Sequence, residues 1–176
     1  RQGAAFDGSA RIHRALVGAS YTYLRATFES GEEVNGEGNS TNTAGPGFEG
    51  LIGITPGHRI PLTPAHISKA YADITVTSKF VVSPSVVGVG GAYARGNENN
   101  RHQPDGRYYV GPGRSPGYGI ANLAARYTVT RTIELYLNVN NLFDRRYYSS
   151  AQLGPTGLTA EGNFVARPFP DRKSVV

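Results

Sequence analysis

Between Arg95 and Tyr118 the chain carries Arg95, Arg101, His102, Arg107 and Arg114 against Glu98 and Asp105, with Tyr108 and Tyr109 in tandem. Arginine presents a planar fork of donors that matches carboxylate or phosphate. Tyrosine offers a stiff surface, apolar along its body and polar at its tip. Arg101, His102, Arg107, Tyr108, Tyr109 and Arg114 are therefore the candidate contacts for an anionic ligand, and a ferric chelate is a class that suits the mix. A solvated loop whose arginines meet anionic lipid, or nothing, has the same composition. Upstream, Glu29, Glu32, Glu33, Glu37 and Glu49 make a second loop acidic, which fits either a cation or plain solvation.

Other chemistry finds less support. His13, His58, His66 and His102 are far apart in sequence, with no HExxH-type spacing. No nucleophile motif of a known kind is present, although a Ser-His-Asp group assembled in space is independent of spacing. We assign no catalytic residue, no resident metal and no cofactor. The 176 residues contain no Cys, so disulfides, thiolate metal sites and cysteine nucleophiles are excluded. The formal charge is +5, but the basic residues are scattered and form no recognition helix, which argues against nucleic acid. No segment approaches the roughly 18 apolar residues of a membrane helix. A membrane barrel needs none, because its strands turn only alternate residues to lipid.

The elements that position these loops are strands. In Tyr118 to Tyr147 the apolar residues Ala121, Leu123, Ala125, Tyr127 and Val129 alternate with Asn122, Arg126 and Thr128. After the short link Thr130 to Thr132, Ile133, Leu135, Leu137 and Val139 alternate with Glu134, Tyr136, Asn138 and Asn140. A period of two puts successive side chains on opposite faces. The hairpin thus has one oily face and one polar face. Arg126, Glu134, Asn138 and Asn140 share the polar face, where Arg126 and Glu134 are placed to pair across strands. Either a soluble sheet or a membrane barrel with a wet lumen satisfies this pattern.

The rest of the chain repeats it. Strands are expected over Gly3 to Ala10, Ala15 to Glu29, Ile67 to Thr77 and Phe80 to Ala94, the last with a blurred register because Pro84 belongs at a strand end, bulge or edge. Leu51 to Ile54 reads as a small element inside a loop. The links alternate: short near 11 to 13, long at 30 to 64, short at 78 to 79, long at 95 to 117, short at 130 to 132, and long after Asp144. Short turns at one end and long loops at the other are the habit of a transmembrane barrel. Tyr23, Tyr118 and Tyr147 near strand ends suit an interfacial aromatic belt. The expected fold class is all-β: an antiparallel transmembrane β-barrel portion of about six strands, an incomplete barrel.

Val139-Asn140-Asn141-Leu142-Phe143-Asp144-Arg145-Arg146-Tyr147 resembles the NNLFD-type segment near the C-terminus of TonB-dependent outer-membrane receptors. In the same order come Ala19 to Tyr23, Gly57 to Pro61 with Pro64-Ala65-His66, Gly96 to Asn99, and Gly117-Tyr118. The resemblance covers roughly residues 1–170 by motif order. It implies a large barrel in the bacterial outer membrane, plugged by an N-terminal domain. It also implies uptake of a scarce ligand, a ferric siderophore above all, driven by the TonB energy-coupling protein. The implied partners are the plug, the remaining strands, TonB and outer-membrane lipid. A passive porin-type channel, a barrel enzyme and a soluble β-binding module are the alternatives. No signal peptide opens the chain, so a mature or partial chain is expected. Six strands with two open edges should neither close nor transport alone. Asp171 to Val176 departs from the family pattern and back-translates to a common sequencing-adapter read. The expectation is a non-native tail over 171–176.

Overall fold

The computed structural model describes residues 1–154, and the expected tail at 171–176 lies outside them. Every regular element described is a strand: β1 (Gln2–Ile12), β2 (Ala15–Arg25), β3 (Glu32–Asn35), β4 (Leu51–Ile54), β5 (His66–Thr77), β6 (Phe80–Val89), β7 (Ala92–Tyr93), β8 (Arg114–Ser115), β9 (Tyr118–Thr128) and β10 (Glu134–Val139). The six long ones form a single antiparallel meander in the order β1-β2-β5-β6-β9-β10. The short ones pair as β3–β4 and β7–β8 within the long loops. The sheet is open, so β1 and β10 are its two free edges. Eleven residues at about 3.3 Å each, tilted by about 40°, rise roughly 28 Å, enough to cross an apolar band of about 25 Å.

The strand ends have local causes. β1 runs two residues past the expected boundary because Ile12 still pairs with Ala15, leaving His13 and Arg14 as the turn, with His13 at a left-handed φ of 52°. β2 stops at Arg25 because the ladder changes partner. Leu24 donates to the carbonyl of Ala65, and then Phe28 and Ile60 bond to His58 and Ala26. The expected Phe80 to Ala94 strand is split at Gly90 and Gly91 into β6 and β7. Pro84 does sit in the middle of an internal strand. It has no N–H to give, and the β5–β6 register passes from Tyr71–Ser85 to Ile74–Val82 without the two pairs between. Ser83 offsets the gap with a 2.6 Å hydrogen bond to Asp73.

The register makes the two faces continuous. Phe6, Tyr21 and Ser68 align across β1, β2 and β5, while Val82, Ala125 and Leu137 align across β6, β9 and β10. That face is apolar and bare: Phe6 is 68% exposed and Leu137 57%. In water each such side chain forgoes about 1.5–3 kcal/mol of burial. The opposite face carries Asp7, Ser20, Lys69, Asp73, Asn122, Arg126, Glu134 and Asn138. A concavity of about 420 Å³ on it is lined by all six long strands, from Arg11 on β1 to Tyr136 and Asn138 on β10. A flat sheet cannot touch one hollow with both edges. The sheet is curled with its polar face inward, which is the geometry of a barrel wall.

The buried core lies elsewhere. Ala26, Ile52, Ile54, Ala65, Ala92, Ala94, Tyr109, Tyr147 and Leu153 are the buried apolar residues, and nearly all belong to the long-loop end. The chain therefore has a wall without a core of its own and a packed headpiece above it. Aromatic side chains mark both ends of the outward face: Tyr21 and Tyr23 against His66 at the loop end, Phe80 against Tyr127 at the short-turn end. Of the tyrosines expected in a lipid-facing belt, only Tyr23 lies on this face. Tyr118 is on the polar face and stacks on buried Tyr147, with ring centres 4.5 Å apart.

Candidate functional site

The headpiece is braced by amides. Asn39, Asn97 and Asn99 are buried, Asn39 completely. The Asn39 amide donates to the Gly96 carbonyl (2.8 Å) and to Asn99 Oδ1 (3.3 Å), and Asn99 donates to Thr41 Oγ1 (2.7 Å). Asn100, at a φ of 56°, bonds the backbone of Arg59 in both directions. Leu62 donates to Tyr93, and Arg95 and Leu153 exchange bonds with the 151–153 segment and Arg95 respectively. Loops 30–64 and 95–117 and the start of the third are thereby joined. Asparagine suits this work because one side chain supplies both donors and acceptors.

His102 belongs to the brace. It is buried, its Nδ1 accepts from the Ser40 N–H (3.0 Å), and its Nε2 lies 2.8 Å from the Gly111 carbonyl, which only a protonated Nε2 can satisfy. Burial pushes its pKa down, overriding the Gly111 bond and the charge of Asp105, so the ring stays neutral. Tyr109 is buried against its edge, and burial followed by the Asp105 charge pushes the phenol up. Both residues are thus packed into the headpiece, His102 with its two ring nitrogens hydrogen-bonded and Tyr109 through its ring.

Asp105 is the residue that sequence reasoning undervalued. Its Oδ1 accepts from the backbone N–H groups of Arg107, Tyr108 and Tyr109 at 2.8–2.9 Å. Desolvation acts to raise its pKa, but the N–H groups of Tyr109, Arg107 and Tyr108 together hold the carboxylate below its usual value. The Asp-Gly at 105–106 was the available signal, since this dipeptide marks a turn closed by its own side chain.

The candidate arginines, Arg101, Arg107 and Arg114, remain exposed. Arg107 rests on the ring of Tyr108 at 4.8 Å, and Arg114 on Tyr93 at 4.7 Å. Tyr93 was not among the sequence candidates; its register partner on β7–β8 is Arg114. Each stack is worth about 0.5–1 kcal/mol at an exposed site and holds the guanidinium edge outward. The acidic loop assembles no group of three or more metal-ligating side chains among the described residues.

Below, Arg126, Glu134 and Asn138 share the concave face, as their spacing predicts, and Asn140 follows just beyond β10. Opposite Arg126 stands Tyr136, and Glu134 takes its hydrogen bonds from Thr128 (3.0 Å) and Tyr136 (2.5 Å). Asn141 and Asp144, both at left-handed φ (51° and 47°), form the turn of the NNLFD segment. The Asn141 side chain brackets Arg145 by accepting from its N–H and donating to its carbonyl, each at 3.0 Å.

An open wall of antiparallel strands, apolar outside and polar inside, now meets a sequence match. The family model described as "TonB dependent receptor-like, beta-barrel" matches residues 1–142. The chain belongs to this family. The catecholate siderophore receptor Fiu of Escherichia coli K12 is 27% identical over 131 residues, 74% of this chain and 14% of that protein. The probable TonB-dependent siderophore receptor PiuA of Acinetobacter baumannii is 40% identical over 47 residues, 27% of this chain and 6% of that protein. The crystal structure of PiuA superposes with a TM-score of 0.60 at 20% identity, covering 96% of this chain and 20% of that one. The closed form of the ferric-catecholate import receptor Fiu gives 0.56 at 18% identity, covering 97% and 19%. The chain thus spans a small part of the relatives it matches, and the superpositions speak for a shared fold. TonB-dependent receptors are transport proteins of the bacterial outer membrane, which places these strands there, with the apolar face toward lipid.

Proposed function

We propose that this chain is a C-terminal barrel portion, over residues 1–170, of an active-transport receptor for a ferric siderophore. The braced long-loop headpiece supplies part of the outer ligand surface. The observation that carries this reading is the pair of arginine–tyrosine stacks, Arg107 on Tyr108 and Arg114 on Tyr93, exposed on a rigid support. A ferric catecholate is anionic and aromatic. Guanidinium edges answer its charge and tyrosine faces its rings. That relatives such as Fiu are described as catecholate siderophore receptors supports the same chemistry. Arg101 completes the cationic set. In this reading Arg126, Glu134 and Asn138 face a plug, and TonB acts through that plug rather than through these strands. The surface binds and releases its ligand unchanged, so the chain is not an enzyme. The test is ferric-chelate binding by the whole receptor. Arg107→Ala combined with Arg114→Ala should weaken a ferric catecholate about tenfold or more, on the magnitude of charged hydrogen bonds. Unchanged affinity would remove the headpiece from the ligand site.

A further inference from the structure

Two shallow troughs cross the outward face, one at mid-strand and one toward its long-loop end. One, of about 430 Å³, is floored by Gly8, Ala19, Ala70 and Ser68 and walled by Phe6 and Tyr21. The other, of about 390 Å³, runs over Gly88, Gly119 and Ala121 to Phe143 and Arg145. They share Ser68 and Val86, so they join. Register creates them. Gly8 pairs with Ala19 and Ala19 with Ala70, while Ser68 pairs with Gly88 and Gly88 with Gly119, so small side chains lie in contiguous rows between larger ones. Outward small residues are costly for a lipid-facing surface, which gains nothing from a groove unless something fills it.

The far end of the second trough is charged. The Asn141 bracket holds the Arg145 backbone in place, and among the described residues its guanidinium takes part in no hydrogen bond. Asp144, Arg145 and Arg146 follow one another there, leaving the rim positive. We propose that the joined troughs seat two acyl chains of one phosphorylated glycolipid of the outer leaflet, with the Arg145 guanidinium on its phosphate. This rests on the barrel orientation, apolar face to lipid and long loops outward. A forked apolar groove fits a headgroup with several chains, and a guanidinium fork fits a phosphate by two parallel hydrogen bonds. A soluble anion has no use for the troughs, and an uncharged lipid has none for Arg145.

The test uses the full-length receptor in mild detergent, exchanged against diphosphoryl lipid A or its dephosphorylated form and read by native mass spectrometry. The variants are Arg145→Gln and Gly119→Leu. A Cβ at Gly119 meets only the Val87 carbonyl, at 3.7 Å, so the leucine enters the trough without disturbing the ladder. Heat-modifiable migration verifies that each variant folds. Arg145→Gln and dephosphorylation should each lower occupancy at least tenfold, with little further loss when combined, whereas Gly119→Leu should lower binding of both lipids. Parent-like binding of diphosphoryl lipid A by both variants overturns the proposal. An apolar carbene reagent in the bilayer reads the orientation separately. Labelling of the Leu123–Leu137 face without lipid selectivity removes the lipid site alone; labelling of the Asn138 face removes the orientation beneath it.

Discussion

Replacing Asn39 by alanine should loosen the outer loops and leave the barrel wall intact. The side chain is fully buried and makes four hydrogen bonds: to Gly96 and Asn99 across the loops, and from the Thr41 N–H and hydroxyl within its own loop. The two cross-loop bonds contribute about 1 kcal/mol each, and the two bonds from Thr41 together about another 1 kcal/mol. A sum near 3 kcal/mol corresponds to roughly a 100-fold rise in local opening, at tenfold per 1.4 kcal/mol. The opening stays local because no long strand of the sheet runs through Asn39. Hydrogen exchange followed by mass spectrometry on the whole receptor reads this directly. Peptides covering 36–43 and 95–103 should exchange about 100-fold faster, while those covering β5, β6 and β9 and the heat-modifiable migration stay unchanged. Exchange within threefold of the parent in both peptides would refute the brace. Simultaneous loss of protection in β6 and β9 would refute the separation of headpiece from wall.

Three further outcomes follow from the same geometry. Leu123→Arg, in the middle of β9 on the outward face, should cost about 2–4 kcal/mol of membrane stability, whereas Asn138→Arg on the concave face should be tolerated; urea unfolding in liposomes compares them. The depressed His102 pKa means that the unfolded headpiece binds the proton more readily. The contribution of His102 is therefore present above its ordinary 6.5 and lost as pH falls through the folded value, so exchange at 96–105 should quicken on acidification and His102→Gln should flatten that dependence. Asp105→Asn should weaken the acceptor shared by three backbone N–H groups and mobilise Arg107 and Tyr108, seen as lower ferric-chelate affinity with barrel assembly unchanged.

Local alternation determined most of the wall. Ala121 to Val139 announces two faces through period two alone, and the alternation of short and long links set the direction of each strand before any pairing was known. The NNLFD segment carried the family. Pro84 shows the limit of local rules: proline was expected at a strand end, bulge or edge, yet neighbouring ladders and the Ser83–Asp73 bond hold it in an internal strand with the register unchanged on either side. The site was legible only in part. Arg101, Arg107, Tyr108 and Arg114 remain at the surface, but His102 and Tyr109, alike in composition, turned inward.

The sequence by itself determined what each strand is, because a strand's faces depend on neighbours one and two residues away. Only the tertiary structure decided which polar residues are used up. Asn39 and Asn99 meet across 60 positions, and His102 reaches Ser40 across 62. Whether a side chain faces a ligand or a buried carbonyl depends on contacts between loops, and those leave no period in the sequence.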